Sequence, residues 1–193
     1  MTGALWLVLA LAVWGFLHSW LASHGVKKAL ERRLGTFFRF YRLFYNLFAV
    51  MSFFPVLALM ALLPDRMLYA WPAPWAYLAL IGQGVALILL AVALFQTDLW
   101  DFLGLRFSNT PPRLVESGFY RYMRHPLYTF GLLFIWLTPR MSLNQLILFL
   151  GLTVYILIGA WFEERKLLRE FGQAYAEYRA RTPMFLPFRR VRR

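Results

Sequence analysis

The densest collection of chemically capable side chains runs from Gly118 to Gly131, Gly-Phe-Tyr-Arg-Tyr-Met-Arg-His-Pro-Leu-Tyr-Thr-Phe-Gly. Pro126 cannot continue a helix from upstream without losing a hydrogen bond and clashing with the preceding turn, so a helix is expected to begin there. It also biases His125 toward extended backbone. A helix start leaves backbone amides free, which suits a carboxylate or another anion, and Arg121, Arg124 and His125 would add donors. Tyr128 and Gly131 lie one to two turns in. A purely structural helix entry needs the proline, but not the arginines, the histidine and three tyrosines together.

A second cluster is Trp161-Phe-Glu-Glu-Arg-Lys166, followed by Leu168, Phe171, Tyr175 and Tyr178 at spacings of three and four. Two adjacent carboxylates at the end of an apolar run sit poorly with a helix C-terminus, unless the helix continues beyond them. The Leu-Phe-Tyr-Tyr stripe alone reads as packing; with Glu163 and Glu164 it could form one wall of a pocket. His18 and His24 are a further candidate pair, but their six-residue gap separates them by about 120° around a helix, which argues against one haem or metal between them. His18 is equally read as a neutral imidazole holding two helices together. Arg39, Arg42 and Asn46 share one helix face, and snorkelling accounts for both arginines. Asp98 and Asp101 follow Gln96 and Thr97; they could neutralise an arginine-rich layer or orient a cationic cofactor. With no cysteine in the chain, disulfides, thiolate nucleophiles and iron–sulfur clusters are excluded, and no metal site is expected.

The elements that must position these residues follow from composition. Of 193 residues, 61% are hydrophobic and 16% charged, and the mean hydropathy is +0.54. A soluble domain of this size has too little interior for so much apolar surface, and disordered chains are poor in such residues. A polytopic membrane protein is expected. Uncharged runs place spans at about 3–23, between Arg42 and Asp65, between Arg66 and Asp98, at 126–139, and from Met141 to Glu163. The fourth is short, and is either a thin span or one arm of a helical hairpin with the fifth.

The net charge of +12 could suggest nucleic acid, but the basic residues are sorted along the chain. Successive connections hold six, one, four and one Lys or Arg, and the tail after Glu163 holds nine. The positive-inside rule then puts the N-terminus outside and the C-terminus in the cytoplasm. Nucleic acid is not an expected partner; the bilayer is. The first span lacks a basic leading region and its charges come after it, so it does not read as a cleaved signal. Trp71, Trp75 and Tyr77 fit an outer aromatic belt. The fold class expected is all-α: about five transmembrane helices in a bundle, with a cytoplasmic C-terminal helix. A single domain over 1–193 is expected, with a three-span part, 1–113, and a second part, 114–193, that carries both clusters.

Arg124-His-Pro-Leu-Tyr128 with Gly131, then Glu163-Glu164, Phe171-Gly172, Tyr175, Tyr178 and Pro187, resembles the signature of the integral-membrane methyltransferases, which include isoprenylcysteine carboxyl methyltransferase and the phospholipid N-methyltransferases. His18-Ser-Trp-Leu-Ala-Ser23 with Lys27, Asp98-Leu-Trp-Asp-Phe-Leu-Gly-Leu105 and Phe134-Ile-Trp-Leu-Thr-Pro-Arg-Met141 are similar to the branch holding methanethiol S-methyltransferases and NnrU-like proteins. The chain departs from the usual pattern at Phe107, where Gln is common, and at Lys166, where an acidic residue is common.

The resemblance implies a bacterial inner-membrane enzyme that binds S-adenosylmethionine at the cytoplasmic end of the fourth and fifth spans, sealed by the C-terminal segment. Arg124, His125, Pro126, Tyr128, Gly131, Glu164, Tyr175 and Tyr178 are the cofactor-binding residues it implies, with Arg121, Glu163 and His18 as candidates for catalysis. The cofactor carboxylate would meet Arg124, His125 and the helix start, its amino and sulfonium groups Glu163 or Glu164, and its adenine Tyr175 or Tyr178. The acceptor would be a small thiol or a lipophilic molecule, such as a prenylcysteine carboxylate or a lipid amine. The alternatives are a haem- or quinone-associated membrane component using His18 and His125, or a non-catalytic accessory protein. A transporter is disfavoured by the lack of an inverted repeat. No feature sets an oligomeric state.

Overall fold

The structure, a computed structural model, describes residues 2–105 and 113–186. Phe107 and Pro187 lie outside the described residues, as does the side chain of Asp101. The helices are α1 (Thr2–Ala22), α2 (His24–Leu34), α3 (Tyr41–Leu62), α4 (Trp75–Phe95), α5 (Leu99–Leu103), α6 (Pro126–Trp136), α7 (Leu143–Phe171) and α8 (Gln173–Arg181), with tight 3-10 turns at Gly35–Phe40 and Gly118–Arg121. Among the described residues four segments are long and apolar enough to cross a membrane: Gly3–Ala22, His24–Leu62, Trp75–Phe95 and Leu143–Phe171. The chain is an all-α integral membrane protein.

The fifth apolar helix, α6, has 11 residues, about 16 Å at a rise of about 1.5 Å per residue. That falls well short of a hydrocarbon core about 30 Å thick. It is one arm of a hairpin: Tyr128 near its start bonds Glu163 late in α7, and Trp136 at its end bonds Thr153 further back in α7. The longer arm, α7, has 29 residues and is about 43 Å long on the same rise. It therefore continues past the carboxylate pair, which removes the helix-end objection to Glu163 and Glu164.

The residues group into two compact units. The first holds α1, α2, α3, most of α5 and the first turns of α7, to Gly151. In it α1 and α3 are pinned by Tyr41 Oη donating to the Leu21 carbonyl (2.6 Å) and Trp14 Nε1 to the Ala49 carbonyl (3.3 Å). Asn144, almost wholly buried, donates from Nδ2 to the carbonyls of Met60 (3.2 Å) and Leu63 (3.3 Å), while its backbone N–H donates to Asp65 Oδ1 (3.0 Å). The carbonyls of Met60, in the last turn of α3 where such groups lack partners within their own helix, and of the C-cap residue Leu63 are satisfied in this way.

The second unit holds α4, α6, α7 from Leu152 onward and α8. Ala79, Ala86 and Ala93 recur every seventh residue along α4 and are buried. Small residues in such a row let membrane helices approach closely, and α4 packs along α6 there. Ala93, Met123 and Phe130 form the buried centre, with Leu89, Leu90, Phe119 and Leu127 around them. Two short strands, β1 (Met67–Ala70) and β2 (Arg140–Ser142), pair as a two-stranded sheet.

Candidate active site

Pro126 opens α6 as its first residue, and His125 before it has φ −124° and ψ 62°, outside the helical region. The approach is set by Gly118, whose φ of +60° is a conformation that favours glycine. A Cβ there would collide with the Gln96 side chain, which accepts a hydrogen bond from the Phe119 N–H (2.8 Å). Gly172 makes the second necessary turn: at φ +55° it ends α7 and starts α8, folding Tyr175 and Tyr178 back toward α7.

Glu164 is the hub. Arg124 donates to both of its oxygens, Nε to Oε1 (2.7 Å) and Nη2 to Oε2 (3.0 Å), the bidentate geometry that a guanidinium fork favours. His125 Nε2 lies 3.0 Å from Oε1, Tyr175 Oη donates to Oε1 (2.7 Å), and Arg179 Nε stands 3.3 Å from Oε2. The side chains of Arg124 and Glu164 are only 9% and 7% exposed. The remaining guanidinium nitrogen of Arg124 reaches the carbonyls of Arg179 (3.2 Å) and Thr182. One carboxylate thus joins the start of α6, the end of α7, and α8.

The segment after α8 runs along the start of α6. The Arg124 and His125 amides donate to the carbonyls of Pro183 (2.9 Å) and Met184 (3.0 Å), and Thr129 Oγ1 donates to that of Phe185 (3.1 Å). The amide of the N-cap residue His125, and that of Arg124 before it, are therefore taken by the chain itself. Arg121, at the end of its 3-10 turn, is exposed.

Glu163 differs from its neighbour. Its side chain is 42% exposed, Tyr128 Oη donates to Oε2 (2.7 Å), and His125 Nδ1 lies 3.8 Å from the same oxygen. The His125 ring stacks on Tyr128 with centroids 5.3 Å apart. Among the described residues, nothing beyond its chain neighbours and the surrounding backbone of α6 lies within 4 Å of where a Cβ on Gly131 would sit. Tyr175 and Tyr178 are buried and meet edge to face; Tyr178 Oη donates to the Tyr120 carbonyl (2.6 Å). Burial first, and then the nearby Glu164 or Glu163 carboxylate, holds the phenols of Tyr175 and Tyr120 protonated above their ordinary range.

His18 belongs to the other unit. There its Nε2 and Tyr45 Oη share a hydrogen bond (2.5 Å) and its ring stacks on Trp14. The residues that sequence reasoning missed are Arg179, Thr182 and Thr129, which close the hub, and Asn144. A polar side chain in an apolar span, as Asn144 is, was the available signal for the last.

A hairpin of one short and one long apolar helix, with a buried carboxylate hub where the apolar run of the long arm gives way to charged residues, defines an integral membrane protein with a candidate site at that end of the hairpin. The family described as NnrU protein matches residues 6–190, and the chain belongs to that family. Among curated relatives, it is 33% identical over 129 residues to the methanethiol S-methyltransferase of Crocosphaera subtropica, covering 59% of this chain and 51% of that protein. It is 42% identical over 98 residues to methanethiol S-methyltransferase 2 of Bradyrhizobium diazoefficiens, with 47% and 38% covered. It is 35% identical over 118 residues to the enzyme of the same name from Mycobacterium tuberculosis, with 57% and 48% covered. The chain spans about half the length of these relatives, or less. No solved structure matches it.

Proposed function

We propose that the chain is an integral-membrane methyltransferase that uses S-adenosylmethionine to methylate a small thiol at the site built by α6, α7 and α8. The observation that carries this reading is the unequal carboxylate pair: Glu164 is saturated by Arg124, His125, Tyr175 and Arg179, while Glu163 stands beside it with a half-exposed side chain. The names of the relatives point to transfer onto a thiol rather than to a haem or quinone component. The absence of cysteine from the chain means that any thiol belongs to the substrate.

The residues fit such a cofactor. Glu163 offers a carboxylate to a cationic group, exposed Arg121 offers a guanidinium to a carboxylate, and the space beside Gly131 leaves room for the ligand. When bound, S-adenosylmethionine supplies a methyl group already activated on a sulfonium. The protein's own part is positioning, which can account for much of the barrier in such a reaction. The Arg124–Glu164 hub fixes the walls, and Glu163 holds positive charge and is the carboxylate placed to take a thiol proton. By the charge sorting, with the short α6 arm counted as one crossing, this end of α7 faces the cytoplasm and the N-terminus lies outside; a bacterial inner membrane is what the family resemblance implies.

Detergent-purified protein titrated with S-adenosylhomocysteine tests the cofactor. Binding is expected, and its absence in folded protein overturns the proposal. Labelled methyl transfer into methanethiol, prenylcysteine and a lipid extract tests the acceptor, with label expected in the thiol.

A further inference from the structure

The face of α7 opposite the hub carries its own cluster. Trp161, Phe162, Arg165, Leu168 and Arg169 lie on one side of the helix at about 100° per residue, and their mean direction is about 130° from that of Ala160, Glu164, Leu167 and Phe171. Trp161 and Phe162 are exposed, 47% and 59%, as are both arginines. Phe162, Arg165, Leu168 and Arg169 line an open cleft of about 360 Å³. The Arg165 guanidinium sits 3.6 Å above the Trp161 ring.

The charge pattern of this face is unusual for a helix. Lys166 has Glu170 four residues on, at 3.8 Å, the stabilising arrangement. Arg165 instead has Arg169 four residues on, and like charges at that spacing repel. Among the described residues no carboxylate forms an ion pair with either arginine. An anion between the two would relieve the repulsion, and it must come from outside the chain. The cleft also has an apolar floor of Phe162 and Leu168, at the point where the apolar run of a membrane-length helix ends. A free inorganic anion has no use for that floor; a phospholipid has both parts.

We infer that Arg165 and Arg169 bind the phosphate of one anionic phospholipid, whose acyl chain lies over Phe162 and Leu168. The site is separate from the hub and does not depend on the proposed activity. The two guanidiniums take the phosphate oxygens, and Trp161 holds Arg165 from beneath. Specificity for a net negative headgroup follows, because a zwitterionic lipid brings its own cation to a site that already holds two.

Native mass spectrometry of the full chain in neutral detergent, with phosphatidylglycerol or phosphatidylcholine added, tests this. Phosphatidylglycerol adducts are expected, with one fewer retained in Arg165→Gln/Arg169→Gln. The affinity of that lipid should fall about 30-fold, from the usual contribution of each basic residue near an anionic surface. Lys166→Gln should keep the full complement. The proposal is overturned if the double variant keeps every adduct, if phosphatidylcholine binds as well, or if inorganic phosphate displaces the lipid at equal concentration. An unchanged unfolding temperature in neutral detergent shows that the loss is local. Should the double variant misfold, the single variants Arg165→Gln and Arg169→Gln carry the same test, each expected to weaken the lipid and overturning the proposal if neither does.

Discussion

Glu163 and Glu164 are adjacent in sequence and point about 100° apart around α7, so that one is enclosed by four donor side chains and the other is 42% exposed with Tyr128 as its donor. Their substitution is expected to separate structure from binding. Glu164→Ala leaves Arg124 without its counter-charge in a nearly dry site, and losing one member of a buried pair costs about 3–5 kcal/mol. A fall in unfolding temperature should therefore accompany any loss of activity. Glu163→Gln should unfold close to the wild-type temperature, yet bind S-adenosylhomocysteine at least tenfold more weakly by titration calorimetry. Equal destabilisation by both would remove the division of roles.

Arg124→Lys tests the fork. Lysine is a point charge that cannot make two parallel bonds to Glu164 while reaching the carbonyls of Arg179 and Thr182. Hydrogen bonds to charged groups are worth about 1.5–3 kcal/mol each, so the hold on residues 182–186 should weaken. Limited proteolysis is the measurement: cleavage after α8 is expected several times faster in the variant, with α1 to α4 unaffected.

Gly131→Leu places a branched side chain in the open space one turn beyond Tyr128. Among the described residues nothing from outside its own helix fills that space, so stability should change by less than about 0.5 kcal/mol, as for surface substitutions generally. If the space belongs to the ligand, S-adenosylhomocysteine binding should be lost. Unaltered binding would exclude this side of α6 from the site.

The spans were legible because apolar runs and prolines act locally. Pro126 marks the start of α6, and the tract without charge before Asp98 marks the end of α4 within a few residues; its first eight residues instead form β1 and the turn before α4. The hub was legible in composition and not in wiring. Arg124, His125, Glu164 and Tyr175 stood out by type, but which donor serves which acceptor depends on how Gly172 turns α8 back. A helix start was expected to leave amides free; at its N-cap the His125 amide is bound by Met184, and the Arg124 amide before it by Pro183, almost sixty residues on. Carbonyls of this kind leave no mark in a side-chain pattern, since every residue has one. The unequal burial of Glu163 and Glu164 follows from the helical wheel once α7 is known to run to Phe171.

Alkaline pH should release α8. Burial first, then Glu116 and Glu164, push the Tyr178 phenol up to about 12, against the opposing Arg124 and Arg181. An unfolded tyrosine titrates near 10. A raised folded value means that its stabilising contribution is complete below about pH 10 and is lost as pH rises toward about 12. Wild-type protein should lose unfolding temperature across that window. Tyr178→Phe cannot ionise and forfeits the bond to the Tyr120 carbonyl, so it should start less stable and fall less steeply. Absorbance of the ionised phenol, followed with the unfolding curve, reads both.

Asn144→Leu removes the side-chain amide that serves the end of α3. The carbonyls of Met60 and Leu63 would then face an apolar side chain of similar size in a buried position. Leaving a buried acceptor without a donor costs about 1–3 kcal/mol, and a membrane setting offers little water to replace the bond. The loss should appear as a lower unfolding temperature in detergent, and as faster hydrogen exchange in the last turn of α3. Binding at the hub should be retained, because Asn144 lies in the first unit and shares no partner with Glu164. Asn144→Asp keeps the shape but replaces the donating amide with a carboxylate, so it should be at least as damaging; if it proves as stable as wild type, the carbonyl-capping role is wrong.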